Sequence, residues 1–256
     1  MKRFYKKATV VPLGRHPRES GGPAGRAGEE QELDSSFRGN DGQFGISLDG
    51  RPVRTPRRAP LALPNARLAG AIADEWNAQS EEIDARAMRL TGLANAAIDR
   101  IAPDPAGFAA GLAAYGQSDL LCYRAEGPAP LVVRQAASWD PVLAWARARY
   151  DVAFEIVTGI LHKQQPAETV ARLAAAVEAR GPFELAGLSP LVTVSGSLIV
   201  ALALAEGAIG LEPAWAAATL DEQWQAGTWG EDPDAALALA GRRADFAAAA
   251  RFLSLL

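Results

Sequence analysis

The chain has 256 residues, 49% hydrophobic and 22% charged, with 26 bases against 30 acids and a net charge of −4. That balance excludes a general nucleic-acid binder, which needs clustered positive charge to displace phosphate counterions. A single cysteine, Cys122, excludes a disulfide framework, and two separated histidines, His16 and His162, exclude a histidine-rich metal site. The expected class is a soluble globular protein of a reducing compartment, with length for one large domain or two small ones.

The first seven residues are basic, but no apolar run follows them, so they do not read as a secretory signal. The longest apolar stretch, 191–205, is interrupted by Thr193, Ser195, Gly196 and Ser197. It falls short of the roughly 20 residues a membrane-spanning helix needs and reads as one helix buried in protein.

Residues 4–11 read as a strand and 44–48 as its partner. Alternation puts Phe44, Ile46 and Leu48 on one face, and Asp49-Gly50 supplies a turn. Val53, Thr55, Leu61 and Leu63 continue the alternation between Pro52, Pro56, Pro60 and Pro64, which cannot donate to a ladder and keep these strands short. The expected first unit is a β-rich domain over 1–63. Residues 12–42 interrupt it. This segment holds seven glycines and only Leu13, Ala24, Ala27, Leu33 and Phe37 as apolar residues, too few to offset its ordering entropy, so disorder is expected. Its strings 15–22 and 33–41 resemble the translated form of a dispersed bacterial repeat element, and a hairpin loop accepts such length at little cost.

From Asn65 the period turns helical. Asn65 is placed to cap a helix carrying Leu68, Ile72 and Trp76, which gives Trp76 a packing role. Further stripes follow: Leu90 to Ile101, stopped by Pro103; Phe108, Leu112 and Tyr115; then Trp139, Leu143, Ala146 and Tyr150. Val152, Phe154 and Ile156 alternate and are expected to return one strand to the first domain. Pro166 opens a helix that Gly181-Pro182 closes. After the apolar 191–205 helix, two last helices are expected over 213–229 and from Pro233 onward. Short connections make 64–256 a helical domain with orthogonal, bundle-like packing, and the whole chain an α+β protein.

No catalytic constellation emerges. The chain lacks a phosphate loop, a dinucleotide fingerprint and a His-Glu-x-x-His pair. Ser195 lacks the glycine-flanked strand–turn of a nucleophile elbow and reads as a helix-packing serine. His162 has no carboxylate partner obvious in the sequence, and Cys122 sits among Leu120, Leu121 and Tyr123 as a buried thiol. The carboxylate pairs Glu81-Glu82 and Glu231-Asp232 read as solvated charge. One segment differs, 220–230. At about 100° per residue, Leu220 and Trp224 share one helical face while Glu222, Gln225 and Trp229 share the opposite one. Tryptophan beside carboxylate, away from the apolar stripe, is the composition of a protein-binding surface; burial of both faces is the competing reading. Gly227, a weak helix former, works against this geometry.

Six strings in chain order carry a family resemblance. They are Phe4-Tyr5-Lys6-Lys7-Ala8, the segment 48–56 (LDGRPVRTP), and Ala73-Asp74-Glu75-Trp76-Asn77-Ala78-Gln79. The others are the segment 118–124 (SDLLCYR), Ser195-Gly196-Ser197-Leu198, and Glu222-x-x-Gln225-x-x-x-Trp229-Gly230. With them the chain resembles the F1-ATP synthase assembly chaperone of mitochondria and alphaproteobacteria that handles the alpha subunit, and only 12–42 departs from the pattern. The resemblance implies a β-rich domain followed by a larger helical one, no enzymatic activity, no cofactor and no metal. It implies an ATP-independent chaperone that holds free alpha subunit, and prevents its aggregation, until beta subunit replaces it. Glu222, with Asp221 close by, matches the acidic residue implicated in chaperone action, and Gln225 and Trp229 complete the expected partner-binding set. Trp76 matches a tryptophan needed for a working protein.

With no leader evident, the expected setting is a bacterial cytoplasm, the mitochondrial matrix being that of eukaryotic relatives. The free protein is expected to be a monomer without stable membrane insertion. Two other classes stay open at this point: a helical scaffold or adaptor with another protein partner, and a cytosolic hydrolase with an unrecognised site.

Overall fold

The computed structural model describes residues 2–13, 42–159, 161–230 and 232–256. Residues 14–41 lie outside the described residues, and with them nearly all of the segment expected to be disordered. Its ends are described: Pro12 and Leu13 belong to the first strand, and Gly42 precedes the second. Contacts divide the chain into two units, 1–88 and 89–256, so the division falls later than the expected boundary at residue 63.

In the first unit, β1 (Ala8–Leu13), β2 (Gln43–Leu48) and β3 (Arg51–Pro52) form an antiparallel sheet in the order β1-β2-β3. The β1–β2 register runs from Ala8 opposite Leu48 to Leu13 opposite Gln43. Asp49 and Gly50 turn β2 into β3 with φ of 48° and 87°, the left-handed pair that a twisted two-residue hairpin requires. The Asp49 carboxylate accepts hydrogen bonds from the backbone N–H groups of Lys6 (2.8 Å) and Lys7 (3.0 Å), which lowers its pKa. As the prolines dictate, the proline-rich chain just beyond β3 pairs through isolated bridges, Phe44 with Leu63 and Arg54 with Pro60.

The first helix, α1 (Ala66–Asn77), begins at Asn65, whose side chain accepts from the Leu68 N–H at 2.9 Å. Its stripe of Leu68 and Ile72 is fully buried and has the sheet to bury against, which is why this helix joins the first unit. The attachment is also polar. Asn77 accepts from the Ala8 N–H at 2.8 Å and donates to the Ala8 carbonyl at 3.0 Å, so a side chain completes the pairing of the first residue of β1. Trp76 is half-buried, less enclosed than its stripe predicts. Its ring meets Tyr5 edge-on with centroids 5.6 Å apart, and its carbonyl accepts from the Tyr5 hydroxyl at 2.6 Å.

The second unit is helical. It comprises α2 (Arg89–Ala96), continued to Ile101 by a wider turn, α3 (Pro105–Ala113), α4 (Ala129–Tyr150), α5 (Ala167–Glu178), α6 (Pro182–Ser195), α7 (Leu198–Ala205), α8 (Leu211–Ala218), α9 (Leu220–Trp229) and α10 (Pro233–Ser254). The expected returning strand is corrected. Val157–Thr158 (β5) pairs in parallel with Tyr123–Arg124 (β4) inside this unit. Helix α7 is hydrophobic all round, with Leu198 to Ala203 fully buried, and α4, α6, α8 and α10 pack against it. Close approach is built in at Gly187 of α6, where a Cβ would meet the Leu253 side chain of α10 at 2.7 Å.

The single helix expected over 191–205 is two helices. Gly196 adopts φ 66° at the end of α6, and the Ser197 side chain caps α7 by accepting from the Val200 N–H at 3.0 Å. The helix expected over 213–229 divides likewise at the buried Thr219, whose hydroxyl donates back to the Trp215 carbonyl at 2.8 Å. In both places a hydroxyl satisfies backbone groups at the break, a local competition that apolar periodicity does not register.

Trp76→Ala should destabilise the protein by about 2–3 kcal/mol, below the range for a fully enclosed tryptophan because the residue is only partly buried. Trp76→Arg should cost more, since it loses the Tyr5 contact and brings a cation to the same place. Urea unfolding of both variants checks the order.

Candidate functional site

The second unit gathers three of the quoted strings around one point. Asp119, fully buried, receives the Leu121 N–H (3.0 Å) and the Ser197 hydroxyl (2.7 Å) on one oxygen and the Ile199 N–H (3.0 Å) on the other. The Leu120 N–H donates to the Gly196 carbonyl at 3.1 Å beside it. One carboxylate therefore caps the turn at Leu120–Cys122 and the start of α7, and holds the α6–α7 junction against the 118–124 segment. Burial pushes its pKa up to about 6, against the downward pull of its donors. The neighbouring Cys122 thiol is pushed up to about 12, mainly by burial and further by the Asp119 charge, which makes it unreactive.

Against that junction stands the start of α9. Residues from the junction and from α9, with Trp139 of α4, line a surface depression of about 250 Å³; they include Leu120, Val194, Gly196, Asp221 and Glu222. Helix α9 is anchored at its base. Buried Gln135 of α4 donates to Asp221 at 2.8 Å while its own carbonyl accepts from the Ala125 N–H at 2.8 Å. The Trp139 indole N–H donates to the Ala217 carbonyl at 2.9 Å, and Arg134 lies over the Trp224 ring at 5.1 Å. Asp221 and Glu222 occupy the first turn, where their charge complements the helix dipole.

Leu220 and Trp224 are half-buried, whereas Glu222, Gln225 and Trp229 are exposed, so the two-faced helix foreseen from the sequence forms. Gly227 does not stop it; the helix ends at Trp229, before Gly230 at φ 96°. Trp229 is 78% exposed and Leu237 of α10 74%. Of the expected set, Asp221 and Glu222 share the depression, and Gln225 and Trp229 extend the same face outward. Asp221 is in addition tied to Gln135, so its carboxylate also positions the helix. Glu222 has a partner that sequence reasoning missed, Arg242 of α10, whose guanidinium pairs with its carboxylate. The Arg242-Arg243 doublet is visible in the sequence, but which arginine turns toward α9 depends on packing. Arg243 pairs instead with Glu212 at 2.7 Å.

Ser195 and His162 have structural partners. The Ser195 hydroxyl donates to the Leu191 carbonyl at 2.6 Å and accepts from the Ser197 N–H at 3.1 Å, the bonds of a helix end. His162 meets the Tyr123 hydroxyl at 2.9 Å on the surface. Glu81 and Glu82 are exposed; Glu231 and His16 lie outside the described residues. Among the described residues no group of three or more His, Cys, Asp or Glu side chains is placed to hold a metal ion.

The model of the family described as ATP12 chaperone protein matches residues 2–147. The chain belongs to the ATP12 chaperone family. That makes it a chaperone of F1-ATPase assembly by family. Solved structures extend the likeness. Atp12 from Paracoccus denitrificans is 37% identical with a TM-score of 0.84, over 99% of this chain and 97% of that one. An aspartate-to-lysine mutant of the same protein aligns at 36% identity with the same TM-score and coverage. The Atu1473 protein of Agrobacterium tumefaciens is 40% identical with a TM-score of 0.84, over 99% of this chain and 85% of that one. Helix α9 lies beyond the span of the family model and within the reach of these structural likenesses.

Burial gives Asp119 a testable role. The native pKa of about 6 stands above the ordinary 3.8, so between those values the native state holds a proton that the unfolded chain has released. Its contribution to stability therefore falls as pH rises from about 4 to about 6 and is level above that. Asp119→Asn turns an NH₂ toward backbone donors and should cost about 1–3 kcal/mol at pH 7. The cost should be larger at pH 4.5, and urea unfolding of both proteins at the two pH values measures it.

Proposed function

We propose that this chain is an ATP-independent assembly chaperone that binds free F1-ATPase alpha subunit through the exposed face of α9 and keeps it from aggregating until beta subunit replaces it. The observation that supports this best is the 78% exposed indole of Trp229 on the same helical face as the Glu222 carboxylate, in a chain of the ATP12 family. A large aromatic side chain held in water stabilises nothing in the free protein, and an aromatic beside a charge is the composition of an interface hot spot. An isolated subunit exposes the apolar surface meant for its neighbours, and a chaperone without a nucleotide cycle protects it by mass action alone.

No cofactor, metal or chemical step belongs to this activity, and no helix among the described residues is long and apolar enough to cross a membrane. The proposed setting is the bacterial cytoplasm, and the proposed free state a monomer. Trp76, at the Tyr5 contact in the first unit, serves the fold and not the partner.

The test separates folding from binding. Glu222→Lys places a cation beside Arg242, and at this exposure the cost to folding should stay under about 1 kcal/mol. The same reversal should weaken capture of alpha subunit by a few kcal/mol, since like charge at an interface is strongly unfavourable. Trp229→Ala should lower affinity by at least about 2 kcal/mol, as for a hot-spot aromatic, with an unchanged melting curve. The measurements are thermal melting and light scattering of alpha subunit diluted into buffer with each variant. Protection retained by both variants would place the binding face elsewhere.

A further inference from the structure

Glu222 stands between two neighbours of different kinds. One is the Arg242 guanidinium that pairs with it; the other is the depression it lines with Asp221, Leu120, Trp139, Val194 and Ala218, where Thr193 and Ser195 add hydroxyls. Among the described residues, the lining holds two carboxylates and no basic side chain. The other cations nearby are engaged: Arg124 lies over the Trp139 ring at 5.2 Å and pairs with Asp140 at 2.7 Å, and Arg134 covers Trp224.

We propose that the depression receives one arginine side chain of the partner, and that Arg242 is the intramolecular guanidinium which that arginine displaces from Glu222. This rests on the role proposed above for Glu222 and adds to it the chemistry of what is recognised. Three observations carry it. A guanidinium already pairs with this carboxylate, so the group accepts planar, forked donors in its native position. The lining combines apolar side chains, Leu120, Trp139, Val194 and Ala218, which suit an arginine's aliphatic stem, with the Asp221 and Glu222 carboxylates, which suit its charged head. Both members of the existing pair are about half-exposed, 40% for Arg242 and 48% for Glu222, so water reaches the pair and exchange meets little resistance.

The arrangement has a functional consequence. The free chaperone does not present a bare carboxylate, and a bound arginine always faces a competitor tethered at high local concentration. Arg242 thus lowers affinity and eases release, which a chaperone lacking a nucleotide cycle needs when the next subunit arrives.

The experiment uses the full chain and isolated F1-ATPase alpha subunit, with affinity measured by titration and dissociation by chase with unlabelled chaperone. Arg242→Gln should bind about 2–5-fold more tightly and dissociate more slowly, the range expected for removing an exposed competing charge. Adding Glu222→Gln to that variant should abolish the gain. Val194→Trp, which fills the depression, should lose binding with a normal melting curve; Ala218→Leu serves if the first variant fails to fold. Unchanged or weaker binding by Arg242→Gln, where Glu222→Gln alone weakens binding, overturns the competitor. Full binding by the filled variants overturns the receptacle. Should Glu222→Gln alone leave binding intact, the reading of α9 itself fails, and this inference with it.

Discussion

A single carboxylate, that of Asp119, fixes the architecture on which the candidate site depends. A charged group is removed from water at large cost unless donors surround it. Here the donors come from the turn that follows Asp119 and from the first residues of α7. The same bonds satisfy orphan N–H groups of a helix that is otherwise wholly apolar. The break between α6 and α7 is thereby set at Gly196 and Ser197, and the floor beneath α9 is set with it. An unbroken helix through 191–205 would present neither the Gly196 carbonyl to Leu120 nor the corner that opens the depression.

Helix α9 shows how a protein holds an exposed helix in place without burying it. Its base is secured by Gln135, Trp139 and Thr219, all buried and hydrogen-bonded, while its outer face carries side chains the fold does not need. The interactions divide by environment. Bonds at the base are shielded from water, and losing one leaves a buried polar atom unpaired. The Glu222–Arg242 pair is wet and exchangeable. Anchoring and exposure therefore fall largely to different residues of one ten-residue helix.

Much of this was legible in the sequence where one physical signal dominated. The Asp49-Gly50 turn, the Asn65 cap, the buried Leu68 and Ile72 stripe and the opposed faces of α9 follow from local sterics and period. Where two signals competed, the apolar pattern misled. Residues 191–205 look continuous because the hydroxyls that end one helix and start the next are small and fit an apolar run. The strand expected over Val152 to Ile156 does not form, and the two residues that follow, Val157 and Thr158, pair with Tyr123 and Arg124, a partner that only tertiary structure supplies. The unit boundary moved because α1 needed the sheet, a demand visible in its stripe but not in its position along the chain. Of the site, Glu222, Gln225 and Trp229 were readable as one face opposite Leu220 and Trp224, whereas Arg242 was not, since periodicity does not say which of two adjacent arginines meets another helix.

The distribution of tryptophans has an optical consequence. Of six indoles in the chain, Trp139 and Trp215 are buried, Trp76, Trp145 and Trp224 are partly covered, and Trp229 alone stands 78% in solvent. At that exposure its emission should lie toward the red of the others, and a collisional quencher in solution should reach it first. Covering the tip of α9 shifts that emission to the blue and removes the quenchable fraction without any label. The face that the fold leaves uncovered is thus also the one whose surroundings ultraviolet light can follow.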